Sequence, residues 1–115
     1  MSTVTYSSDS SGVGGTCIAS WTGDGAALEL LPGFKPRYIH IYNITDSIQD
    51  VFVAGMTSTL GTLDTVLNGT SQMLTSANGI TVPATKSATA NGVDGALVAA
   101  GLNVNAKVYL AIMTR

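Results

Sequence analysis

Tyr38-Ile39-His40-Ile41-Tyr42 is the stretch whose reading decides the fold. Side chains along a strand alternate between faces, so Ile39 and Ile41 share one side and Tyr38, His40 and Tyr42 the other. Pro36 fixes the approach to the segment, and Asn43 with Asp46 marks its exit. The same alternation returns at residues 107–113, with Val108, Leu110 and Ile112 opposite Tyr109, Ala111 and Met113. Further strand candidates lie on either side. Residues 16–22 are β-branched and aromatic and close on Gly23-Asp24-Gly25. Residues 26–31 end at Pro32-Gly33, and residues 50–56 carry a bend at Gly55. Residues 96–100 are a short apolar run, followed by a turn over 101–106.

Residues 57–95 support two readings. Leu60, Leu63 and Leu67 have the spacing of a short helical turn. Asn68-Gly69 equally suits a type I′ turn joining strands at 63–67 and 70–74, and the Thr content favours this hairpin. Asn78-Gly79 and Asn91-Gly92 are further turn signals. Turns every ~8–12 residues with no long amphipathic segment predict an all-β fold. The expected architecture is an antiparallel sandwich or barrel, jelly-roll-like, with about six to eight short strands. Residues 16–115 form its single domain. Residues 1–15 are rich in Ser, Thr and Gly and read as a flexible arm. That arm is either plain terminal disorder or a tether, through Thr3, Val4 and Tyr6, that orders on a neighbouring subunit.

Composition narrows the chemistry. Of 115 residues only 10% are charged, against roughly 25% in ordinary soluble domains, while 45% are hydrophobic. Net charge is −2, and the five Lys and Arg residues are scattered, which argues against nucleic acid. No apolar run approaches the ~18 residues needed to span a bilayer, so no membrane is expected. The N-terminal residues lack the basic and apolar regions of a secretory signal. Asn43-Ile44-Thr45 and Asn68-Gly69-Thr70 therefore read as chance sequons.

Catalytic side chains are nearly absent. His40 is the single histidine and Cys17 the single cysteine; the thiol reads as a buried apolar group. One Cys and one His cannot make a usual structural zinc site. Asp24, Asp46, Asp50 and Asp94 read as turn-formers, with no calcium-loop spacing among them. No catalytic, cofactor or metal residues are assigned, and the protein is expected not to be an enzyme.

The strands at 38–42 and 107–113 are apolar or aromatic on both faces, where a half-exposed strand should show one polar face. Either both are covered by ordinary core, or Tyr38, His40, Tyr42, Tyr109 and Met113 form an interface to another chain. A low charge count with much apolar surface favours oligomerisation or docking on a larger assembly.

The segment Gly33-Phe34-Lys35-Pro36-Arg37-Tyr38-Ile39-His40-Ile41-Tyr42-Asn43-Ile44-Thr45-Asp46, with Gly55-Met56 and Gly101-Leu102-Asn103-Val104-Asn105 downstream, resembles small virion structural proteins of tailed bacteriophages. The likeness covers residues 33–56 and 92–113. Where that group has acidic and aromatic residues before Gly-Met, this chain has Phe52-Val53-Ala54. The resemblance implies a β-sandwich attached to a capsid or tail, often oligomeric, with no catalytic residues to carry over. The expected function is thus a capsid decoration or cement protein, a homo-oligomer (trimer favoured) on the major capsid protein. It would be made in the host cytoplasm and located on the virion surface. The alternative is a carbohydrate- or receptor-binding module, for which Trp21 with Asp24 is the local candidate.

Overall fold

A computed structural model describes residues 3–8, 15–56, 61–66, 70–83 and 94–115. Among these the chain forms ten strands, all paired antiparallel: β1 (Thr5–Ser8), β2 (Thr16–Thr22), β3 (Leu28–Leu30), β4 (Tyr38–Asn43), β5 (Ile48–Val53), β6 (Thr62–Thr65), β7 (Ser71–Leu74), β8 (Ile80–Thr81), β9 (Ala96–Val98) and β10 (Val108–Thr114). Seven make one sheet in the order β1-β2-β10-β4-β5-β6-β7, and three make a second in the order β3-β9-β8. The all-β expectation holds, as a lopsided sandwich. The strands beyond the six to eight expected are short ones.

The core lies between the sheets. Cys17, Ala19 and Trp21 of β2, Ile39 and Ile41 of β4, and Tyr109, Ala111 and Met113 of β10 face it from the large sheet. Leu28, Leu30, Ile80, Ala96 and Val98 meet them from the small one. Alternation is strict along β2, where Thr16, Ile18 and Thr22 are exposed and Cys17, Ala19 and Trp21 buried. Cys17 is the apolar core group its neighbours imply.

Strand pairing corrects the grouping of the aromatic face. Tyr109 opposes Asn43 and Met113 opposes Ile39, so Tyr109 and Met113 share the inner face with Ile39 and Ile41. Tyr38, His40 and Tyr42 oppose Thr114, Ile112 and Leu110, and all six point outward. Tyr109 is 1% exposed and Met113 fully buried, so neither belongs to a surface patch.

The N-terminal expectation is also corrected over residues 3–8. Thr5–Ser8 pairs with β2 as an edge strand, Val4 packs against the core, and the Tyr6 hydroxyl accepts a hydrogen bond from Leu31 N–H (3.0 Å). Without this strand, β2 would leave its outer backbone groups unpaired, and Thr and Tyr are good strand formers. Residues 9–14 lie outside the described residues.

The 60–74 ambiguity resolves as a hairpin. β6 and β7 pair from Thr62↔Leu74 to Thr65↔Ser71, and Val66 N–H reaches Thr70 O (3.0 Å). Residues 67–69, which hold the expected turn, lie outside the described residues, as does Asn91-Gly92. At Pro32-Gly33 the glycine sits at φ +93°, a conformation L side chains avoid. Gly23 is required for a different reason: a Cβ there would run into the Val104 carbonyl.

Candidate functional site

Two regions of the large sheet are candidates, one on each face. On the outer face, register lines up Ile18, Ile112, His40, Val51, Leu63 and Met73 in a single row across six strands. Ile18, Val53, Met73 and Val108 are 39–46% exposed, while Tyr38, His40 and Tyr42 are half-buried by one another and their neighbours. The rings are fixed in place. His40 stacks on Tyr42 with centroids 4.2 Å apart, and Tyr38 meets His40 edge-on. His40 Nε2 lies 2.9 Å from Gln49 Oε1 and Nδ1 lies 3.2 Å from the Tyr38 hydroxyl. With the amide oxygen accepting from Nε2–H, Nδ1 accepts the Tyr38 proton. An imidazole tied at both nitrogens beside two phenols is a packing group and has no free basic nitrogen to offer a substrate.

On the inner face, β5 and β6 bring Asp50 directly opposite Asp64. Both are buried, at 2% and 7% exposure. Asp50 was expected in a turn. The turn instead runs through residues 44–47, where Ser47 takes φ +58°, and β5 starts at Ile48. Asp50 therefore lies two residues before Phe52, in the same inward phase. Burial, then its hydrogen bond to Asp64 and the charge there, push the Asp50 carboxyl up to about 8 from 3.8. Gln72 Nε2 donates to Asp64 Oδ2 (3.0 Å). Asp50 Oδ1 has no hydrogen-bond partner.

These groups line a cavity of about 280 Å³ together with Asn43, Asn78 and Tyr109. It exists because the three-stranded sheet is too narrow to cover the whole inner face. Short 3₁₀ turns at Ser76–Asn78 and Ala100–Leu102 cover the remainder. Its rim is polar and well ordered. Asn43 Oδ1 accepts from Asp46 N–H (3.0 Å) and Asn43 Nδ2 donates to Asp46 Oδ2 (3.1 Å), while Lys107 Nζ lies 3.2 Å from Asp46 Oδ1. Asn43 is thereby buried with its amide engaged, which removes it as a glycan acceptor. The Tyr109 hydroxyl accepts from Val104 N–H (2.8 Å); burial first, then Asp50 and Asp46, hold its proton on above the usual phenol range.

The candidate sugar-binding pair, Trp21 and Asp24, is bridged by Asn103 and turned inward. Trp21 is 4% exposed, stacks on Tyr109 (5.4 Å, 11°) and donates from Nε1 to Asn103 Oδ1 (2.8 Å). Its face is not open to a ligand. Asn103, fully buried, in turn donates to Asp24 Oδ1 and Ala26 O. The Gly101–Asn105 motif thus works as an internal clamp. Among the described residues no cluster of three or more His, Cys, Asp or Glu side chains is disposed to hold a metal. Among the described residues no helix is long and apolar enough to cross a membrane.

Comparison with known proteins finds no family model, no curated protein and no solved structure that matches the chain.

Proposed function

We propose that the protein is a non-enzymatic structural protein that works by association, through the outer face of its seven-stranded sheet, with a second copy of itself. The observation that carries this reading is the apolar row Ile18, Ile112, His40, Val51, Leu63 and Met73 on a face opposite the small sheet. A solvated sheet face should be polar, and a row that is apolar apart from His40 across six strands is a liability for a free monomer. Seven strands at ~4.8 Å spacing and about 20 Å length give a face of roughly 600–700 Å². Two such faces packed together approach the ~800 Å² per partner of a standard stable interface. The phenol tips of Tyr38 and Tyr42 supply the amphipathic area that interfaces favour.

With the resemblance of residues 33–56 and 92–113 to phage virion proteins, the reading extends to a capsid decoration or cement protein. In that role the oligomer rests on the major capsid protein and adds contact area that resists internal pressure. An enzymatic reading has little to stand on, since Asp50 and Asp64 are only 2% and 7% exposed and His40 is tied at both nitrogens.

Light scattering of the purified chain tests the proposal. A mass of two or more chains is expected, falling to one in the double variant Ile18→Lys, Val53→Lys with circular dichroism unchanged. A monodisperse wild-type monomer with no affinity for phage heads would overturn it.

A further inference from the structure

We infer that the cavity between the large sheet and the two 3₁₀ turns is a site for a divalent cation of the calcium type, with Asp50 and Asp64 as its charged ligands. Two buried carboxylates on neighbouring strands line this one cavity, which alone would be a costly way to build a core. The independent pointer is Asp50 Oδ1. Among the described residues it is the one buried side-chain oxygen or nitrogen without a hydrogen-bond partner, on a residue only 2% exposed. Buried polar atoms are nearly always satisfied, and an orphaned carboxylate oxygen lining a cavity is the acceptor a cation would take. The remaining lining offers neutral oxygens from the amides of Gln72 and Asn78 and the phenol of Tyr109, set among the aliphatic Ile48, Leu74, Leu102 and Val104.

Calcium suits this donor set better than its rivals. Hard oxygen ligands, no thiolate and no imidazole exclude a zinc or copper preference. About 280 Å³ leaves room for an ion and several retained waters at ~30 Å³ each, which a site with few protein ligands needs. Calcium accepts six to eight oxygens in flexible geometry, whereas magnesium demands a near-ideal octahedron. Two carboxylates neutralise the dication.

In the site the ion would take the unpartnered Asp50 Oδ1 and be shared with the Asp64 carboxyl on the neighbouring strand. The other titratable groups facing the pair are Tyr109 from β10 and Asp46 from the β4–β5 turn, and Asp46 is neutralised by Lys107.

Calorimetric titration of the full chain with CaCl₂ near neutral pH tests this. A single ion per chain is expected, together with a melting temperature several degrees higher in CaCl₂ than in EDTA. Asp50→Asn, which mimics the protonated acid, should abolish both while folding normally. Neither heat nor a melting shift at millimolar CaCl₂ would overturn the inference. An equal shift in Asp50→Asn would do so as well, by placing the ion elsewhere. Should that variant fail to fold, Asp64→Asn decides, and a calcium-induced melting shift left unchanged there would overturn the inference.

Discussion

The inner face of the large sheet is built in two ways. Over β2, β10 and β4 it is apolar: Ala19, Ala111, Ile39 and Ile41 are fully buried beneath the small sheet. Over β5 and β6 it carries the buried Thr62 and the buried pair Asp50 and Asp64, the latter two lining a cavity. The first half is held by area removed from water, which is indifferent to pH. The second is held by a few directional bonds, of which one depends on a proton. Thr62 shows how narrow the second solution is. Its hydroxyl accepts from Ile80 N–H (2.8 Å), and Gly79 is needed beside it because a Cβ would collide with the Thr62 side chain. The contrast teaches that one continuous sheet can join a half that is stable outright to a half whose stability is conditional.

The largest expected effect breaks the apolar half. Trp21→Ala removes the ring stacked on Tyr109 and takes the indole donor from Asn103 Oδ1, and should cost ~3–5 kcal/mol in denaturant unfolding, at every pH alike. Next comes the polar half. Asp50 holds its proton to about 8 when folded and to 3.8 when unfolded, so the folded chain binds the extra proton between those values. In EDTA, stability should therefore be complete below about pH 4 and decline as pH rises through about 8, with most of the loss in that window. Thermal melts of Asp50→Asn should be flat across the same window and exceed wild type at its alkaline end. A wild-type melting temperature that rises from pH 5 to 8 would contradict the assignment. The smallest effect concerns the rim. Lys107→Ala removes an ion pair whose members are about one-third exposed, and should cost under ~1 kcal/mol, vanishing in high salt when unfolding is compared at two ionic strengths.

Much of this was legible in the residues. The run Thr16–Thr22 reads as the strand it forms, and the alternation of Tyr109, Ala111 and Met113 against Leu110 and Ile112 is correct within β10. What could not be read is how one strand's phase maps on to its neighbour's. Tyr38 and Tyr109 look alike in sequence, yet register places Tyr109 opposite Asn43, one step out of phase with the outward tyrosines. Period two fixes faces inside a strand, and only hydrogen-bond register fixes them between strands. Asp50 was hidden by its chemistry: aspartate near a turn is usually a turn-former, and its phase with Phe52 was the available signal. Asn103 gave no sequence signal beyond membership of a turn, because its partners Trp21, Asp24 and Ala26 lie far away in the chain.

The order of strands in the large sheet carries a kinetic consequence. β10, the last of the ten strands in sequence, sits in the interior of the sheet, third of seven, between β2 and β4. As the chain leaves the ribosome, β1 with β2 and the meander β4 to β7 can each form early from local pairings. Each must then wait with an open, aliphatic flank until β10 arrives and zips the two halves together. Closure of the sheet is thus a late, long-range event, of the kind that makes folding slow and exposes intermediates to sticking. A chain truncated before Val108 should accumulate as two unjoined halves.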